Sequence, residues 1–209
     1  MCLRYSYKYK LETNHGEINI MGEVVAIFID GSNFYKVLKY NKGRTDIDFQ
    51  KLSQKLVGDR QLLRVYYYTA TVDQFSVPEL FKEQQKFLTK LYHLPYFEVR
   101  LGYIKTYGEG KEEKEWVEKG VDVKLAVDML KLASTDAYDT AILVSHDGDF
   151  AYAISAIKEM GKHAENACFI DPRCKSKCSD NLLKASDKVV SLDGDFLDDC
   201  WLPEKEARD

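Results

Sequence analysis

Asp30, Asp122, Asp147 and Asp149 are the side chains of this 209-residue chain whose surroundings point to chemistry. Ala141-Ile142-Leu143-Val144 is an uncharged run of strand character that ends abruptly in Ser145-His146-Asp147-Gly148-Asp149. A helical period begins at once, with Phe150, Ile154, Ile157 and Met160 recurring near 3.6 residues. Asp30 repeats the arrangement. The apolar run Val24 to Ile29 closes on Asp30-Gly31-Ser32-Asn33, and a helix carrying Phe34, Val37 and Leu38 follows. Asp122 opens a third helix, VDVKLAVDMLKLAS. In open α/β sheets, the carboxyl ends of the strands are where ligands bind.

Convergence of these acids has a definite cost. Two like charges ~4 Å apart repel by about 4 kcal/mol at an effective dielectric of 20. A cluster of four therefore needs a cation or raised pKa values. Hard oxygen ligands without a histidine set favour Mg²⁺ or Mn²⁺ over zinc. Such an ion lowers the pKa of a bound water and neutralises a phosphate. Taken singly, Asp30, Asp122 and Asp147 are each explained as helix caps. Asp149 lies inside the new helix, where capping gains little, so capping does not explain the full set. Asp128 falls six residues after Asp122 on another helix face, and reads as a solvated or supporting residue.

The elements that must position these acids alternate. Leu62 to Ala70 reads as a second strand. Phe81 to Leu94 reads as a helix with Phe81, Phe87 or Leu88, and Leu91 inward, broken by Pro95. Tyr96 to Lys105 is a third strand, and Thr106 to Glu118 a charged excursion, either hairpin or loop. The helix after Gly120 turns Val121, Leu125 and Met129 or Leu132 inward. Ala164 to Ile170 is a further strand, followed by the loop DPRCKSKCSD and a short helix at Asn181 to Ala185. Val189 to Leu192 forms an edge strand, and Phe196 to Trp201 a closing turn. Alternating strands and helices imply a parallel sheet between helical layers, in one α/β domain over residues 22–202. Residues 1–21 are polar and without period, and Met21 stands just before the first strong strand. They read as a non-native or disordered extension, and 203–209 as a tail.

Composition removes several classes. A net charge of −4 argues against broad nucleic-acid affinity while leaving room for a local basic rim. No apolar run approaches the roughly 18 residues of a membrane span, and no secretory h-region opens the chain. Five cysteines, an odd number, fit a reducing cytoplasm. Cys168, Cys174, Cys178 and Cys200 with His163 lack the paired spacing of a zinc site and read as free thiols. Ser145-His146-Asp147 is no triad, since adjacent strand residues face opposite ways. Phe28 occupies the position where phospho-aspartate chemistry needs its nucleophile. No dinucleotide or P-loop glycine motif and no H-E-x-x-H occurs, so no organic cofactor is expected.

Three motifs together carry a resemblance. VAIFIDGSNFY, KGVDVKLAVDML and AILVSHDGDF, in that order and spacing, resemble the NYN domain family, PIN-like nucleases that include LabA-like bacterial proteins. The similarity runs over residues 24–192. It implies a PIN-like Rossmannoid three-layer sandwich with a mainly parallel central sheet, and a metal-dependent ribonuclease. Asp30, Asp122, Asp147 and Asp149 match the family's Mg²⁺ or Mn²⁺ site, and Asn33 the polar residue beside the first aspartate. The chain departs from the family at His146, where a glycine is common. That side chain either crowds the metal, binds phosphate, or points into a helical layer.

RNA is the implied partner. Ser32, Lys119, Lys124, His146, Arg173, Lys175 and Lys177 are the candidate substrate contacts, with Lys36, Lys39, Lys42 and Arg44 as a second basic rim. Each basic run reads equally as a solvated face, and Lys124 as a helix ion-pair partner. Tyr66, Tyr67 and Tyr68 alternate on a strand and read as packing. Phe34 and Tyr35 are either core or a homodimer contact. The alternative function is a catalytically silent regulator that binds nucleic acid or a protein. A third is a Mg²⁺-dependent nucleotide phosphohydrolase.

Overall fold

A computed structural model describes residues 11–14, 17–20, 22–107 and 115–203. β1 (Leu11–Asn14) and β2 (Glu17–Ile20) pair antiparallel in a small sheet of their own. The domain proper runs β3 (Val24–Asp30), α1 (Gly31–Lys42), α2 (Phe49–Val57), β4 (Gln61–Thr71), α3 (Pro78–Tyr92), β5 (Phe97–Tyr107) and β6 (Glu115–Lys119). It continues through α4 (Val121–Ser134), β7 (Thr140–Val144), α5 (Ala151–Glu159), β8 (His163–Cys168), α6 (Asp180–Ala185) and β9 (Lys188–Ser191). The sheet order is β6-β5-β4-β3-β7-β8-β9, and every neighbouring pair is parallel except β5 with β6.

β3 and β7 lie at the centre and are covered on both faces, which is why both are continuous apolar runs. Alternation sends Ile27 and Ile29 into one layer with Phe34, Leu38, Leu52 and Tyr67. It sends Ala26 and Phe28 into the other with Tyr68, Leu125, Leu143 and Ile154. α1, α2 and α3 cover the first face and α4, α5 and α6 the second, giving the three-layer sandwich. Asp48 caps α2 by accepting from the Lys51 N–H at 3.0 Å. Arg60 closes the α2 side with a two-pronged bond to the buried Glu165 on β8, at 2.8 and 3.1 Å.

Several expectations shift. α3 starts at Pro78, because proline suits the first helical turn, and Leu88 and Leu91 are its buried residues. Phe87 is half-buried against the rings of Phe49 and Tyr67. The charged excursion resolves into a hairpin, since β5 extends to Tyr107 and pairs with β6; its residues 108–114 lie outside the described residues. Met160 is exposed, because α5 ends at Glu159. Phe34 is core, whereas Tyr35 beside it is about half exposed. Among the described residues, no helix is long and apolar enough to cross a membrane. Of the extension 1–21, residues 11–14 and 17–20 form the β1–β2 hairpin, while 1–10, 15, 16 and 21, and 204–209 of the tail, lie outside the described residues.

Candidate functional site

Parallel register builds the site. Ile29 pairs with Val144, so the next residues, Asp30 and Ser145, come side by side on the face covered by α4 and α5. Ser145 Oγ donates to Asp30 Oδ2 at 3.1 Å and accepts from the Asp147 N–H at 3.1 Å. One hydroxyl thus ties the first carboxylate to the turn that carries the third. Asp30 is 3% exposed, and its Oδ1 accepts from the Asn33 N–H at 3.1 Å, capping α1. Asn33 Oδ1 accepts from the His146 N–H at 3.1 Å, a second link between the two strand ends. Behind the site, Asn166 of β8 donates from Nδ2 to Leu143 O and Ser145 O at 2.9 and 3.2 Å. This orientation leaves its oxygen to the buried thiols of Cys168 and Cys178.

Two glycines are needed for close approach. A Cβ on Gly31 would lie 2.3 Å from the Tyr67 ring, so Asp30 can only be followed by glycine. A Cβ on Gly148 would lie 2.5 Å from Ser179 Oγ. There the loop after β8 folds against the acidic turn, and the Ser179 N–H donates to His146 O at 3.1 Å.

Asp147 Oδ1 accepts from the Asp149 N–H at 3.0 Å, which caps a short 3₁₀ turn, Gly148–Phe150, ahead of α5. Asp122 stands in the first turn of α4 but does not cap it; that helix starts from Gly120 without a side-chain cap. Although open to solvent on one side, its carboxyl is raised above the ordinary range. Partial desolvation is the leading cause, the charges of Asp147 and Asp149 follow, and Lys36 opposes them. Asp122, Asp147 and Asp149 therefore act on one another electrostatically, and Ser145 joins Asp30 to the group. The donor chemistry, all carboxylate oxygen with the Asp122 carboxyl raised, fits a hard divalent cation. Among the described residues, however, no three carboxylate, imidazole or thiol groups stand together at metal-holding distance.

The other candidates part company. His146 follows strand alternation to the face opposite Asp30. It is 6% exposed, stacks on Phe169 at 5.7 Å, and accepts from the Phe169 N–H through Nε2 at 2.8 Å. Its Nδ1 is buried with no hydrogen-bond partner. Burial pulls its pKa down to about 4, against the pull of Asp193, so the ring is neutral at physiological pH. Of the three roles open to it, it takes the one pointing into a helical layer and offers phosphate no charge. Ser32 stands on the first turn of α1, its Oγ 3.5 Å from Thr69 Oγ1. Lys119 ends β6, opposite Tyr103. Lys124 turns to β5 and donates to Leu101 O at 2.8 Å. Asp128 accepts from Tyr68 OH at 3.0 Å, a supporting contact. Arg44 pairs with Asp46 and lies over Trp201, which removes it from the rim.

Arg173 binds Asp171, holding that carboxyl down at about 2, and with Lys175 it lines a cleft of about 570 Å³ at the end of α1. Lys177 is exposed on the same loop. Ser145, Ser179 and the cation beside Asp122, Lys36, are the site residues that motif spacing alone does not single out. The only local signal for Ser145 is a hydroxyl placed directly after a buried strand.

The NYN domain family matches this chain over residues 24–193. The low amplitude and bright protein LabA of Synechococcus elongatus is 26% identical over 153 residues, spanning 66% of this chain and 70% of that protein. A crystal structure of a protein of unknown function from Vibrio parahaemolyticus superposes with a TM-score of 0.64 at 24% identity, covering 85% of this chain and 97% of that one. That likeness shows the fold.

Proposed function

The chain belongs to the NYN domain family, whose members are generally nucleases, and from that premise we propose that it hydrolyses RNA phosphodiesters at the carboxylates gathered where β3, β7 and α4 meet. The observation that carries the reading is the mutual charge of Asp122, Asp147 and Asp149, joined through Ser145 to the buried Asp30. Such an arrangement is costly unless a cation offsets it.

Asp30, Asp122, Asp147 and Asp149 are the residues that would hold Mg²⁺ or Mn²⁺, and the ion would supply charge neutralisation at the phosphate and a more acidic water. Asn33 spends its Oδ1 on the His146 N–H, which leaves its Nδ2 to donate to a phosphate oxygen. Lys36, whose charge reaches Asp122, provides a cation on the α1 side for the non-bridging oxygens. Ser145 touches no substrate; it holds Asp30 and the Asp147 backbone at a fixed separation. The free thiols of Cys168, Cys174, Cys178 and Cys200 fit a reducing compartment, the cytoplasm.

A second reading, a regulator that binds without turnover, is favoured by the absence of a ready-made metal-holding triple among the described residues. Purified protein incubated with labelled single-stranded RNA and Mn²⁺, beside Asp147→Asn, separates the two. Cleavage by the parent and none by the variant supports the nuclease. Binding without cleavage by either establishes the regulator, and release of phosphate from nucleotides instead of RNA would move the site to the third class.

A further inference from the structure

Resting on the nuclease reading, we propose that a single strand of RNA runs from the acidic site along α1 to a second phosphate subsite, the cleft at that helix's end, three or four nucleotides away. The groove has two walls. One is the solvent face of α1, on which Ser32, Lys36 and Lys39 succeed one another at helical spacing. Lys36 is already within electrostatic reach of Asp122, and Lys39, Tyr40 and Lys42 line the cleft. The other wall is the loop after β8, which is tied down at both ends. At the acidic end, Ser179 packs on Gly148 and donates its N–H to His146 O. At the far end, Asn41 grips the backbone of Ser176 twice, Nδ2 donating to its carbonyl at 2.6 Å and Oδ1 accepting from its N–H at 3.0 Å.

The charge of the cleft fits phosphate. Lys39, Lys42, Arg173 and Lys175 face Asp171 and Asp193 in a chain whose net charge is −4. Both carboxylates are already engaged. Asp171 is bound by Arg173, and Asp193 accepts from the Ile170 and Asp171 N–H groups at 2.8 Å each. Lys42 lies over the Phe169 ring and donates to Gly194 O at 3.4 Å, so Lys39 and Lys175 are what remains for a ligand. Seven to ten residues of helix from Ser32 to the cleft rise about 10–15 Å, which a stacked strand covers in about three or four nucleotides at 3.4 Å each. Tyr40 is 60% exposed in the cleft wall and offers its ring to an unpaired base, which a duplex cannot present.

The test is binding, read by fluorescence anisotropy on the Asp147→Asn protein with end-labelled oligouridylates of two to eight nucleotides. Affinity is expected to climb steeply between about three and five nucleotides and then level off. Lys39→Glu with Lys175→Glu is expected to weaken the six-nucleotide ligand at least about tenfold, leave the dinucleotide unchanged, and reduce the salt slope by about 1.4. Lys131→Glu, one such charge reversal placed on α4, is expected to leave all of these alone. Affinity independent of length, equal losses from Lys131→Glu, or equal affinity for a duplex of matched length would each overturn the track. Absence of cleavage by the parent protein would remove the nuclease reading and leave the binding result standing.

Discussion

Ser145 Oγ stands 3.1 Å from Asp30 Oδ2, joining residues 115 apart in the chain at the ends of adjacent parallel strands. The same oxygen accepts from the Asp147 N–H, so Ser145→Ala removes a donor from a carboxylate that is 3% exposed and an acceptor from the neighbouring turn. Buried groups left unpaired cost about 1–3 kcal/mol. Urea unfolding of Ser145→Ala should show a loss of that size, with RNA cleavage reduced at every Mn²⁺ concentration. A variant as stable as the parent would mean that the hydroxyl does not hold the site.

Asp122 carries a raised pKa, from partial desolvation and from Asp147 and Asp149. A carboxyl whose folded pKa is raised keeps its proton longer in the folded protein than in the unfolded chain, so stability falls as pH rises from the unfolded value through the folded one. Asp122→Asn should therefore raise the thermal midpoint at pH 7 and have little effect near pH 3. Because the group is solvent-exposed, the gain is at most about 1 kcal/mol. Cleavage should vanish in the same variant, a stability gain paired with loss of function. Scanning calorimetry at the two pH values checks the sign, and a variant less stable at pH 7 than the parent refutes the electrostatic account.

The parts of the fold that were legible were those written in local patterns. β3 and β7 could be read because strands covered on both faces are uninterrupted apolar runs, and their ends placed Asp30 and Asp147 correctly. Partners distant in the chain leave no such trace. Glu165 lies in a strand reading HAENAC, and nothing local says that Arg60, 105 residues earlier, will neutralise it. Adjacency can also mislead. Lys124 follows Asp122 by two residues and reads from the sequence as a substrate contact or a helix ion-pair partner, yet two helical steps rotate it about 200° from Asp122, and it bonds to Leu101 O. Lys36 arrives from another helix to take that place. The antiparallel β6 stays undecided between hairpin and loop in the sequence for a similar reason, since three of its five residues are charged and its pairing is through backbone.

Gly148 separates Asp147 from Asp149 and faces Ser179 so closely that a Cβ would meet the serine Oγ at 2.5 Å and its Cβ at 3.2 Å. Gly148→Ala should push the loop from the acidic turn, costing about 1–3 kcal/mol as an overpacking change and lowering cleavage. Ser179→Gly removes both clashing atoms, so the double variant should recover most of the stability lost. Denaturant midpoints for the parent, the two single variants and the pair form a closed cycle. Strict additivity would show that the two residues do not press on each other.

His146 occupies the position where the family commonly has glycine, and it pays for burial in proton affinity, its pKa falling to about 4. In the unfolded chain the imidazole takes up a proton near pH 6.5. Its contribution to stability is thus complete above that pH and is lost as pH falls from about 6.5 towards 4, below which the dependence flattens. The full window corresponds to about 3 kcal/mol. Gln in its place can still accept from the Phe169 N–H, at present received by Nε2 at 2.8 Å, but it cannot titrate. His146→Gln should therefore flatten the stability profile between pH 6.5 and 4 while leaving RNA affinity unchanged, because the ring lies on the face of the sheet away from Asp30. Urea midpoints across that range, with nitrogen NMR of the imidazole in the parent, provide the measurement. A ring that titrates near 6.5, or a variant that loses RNA affinity at neutral pH with its fold intact, would return His146 to the substrate side.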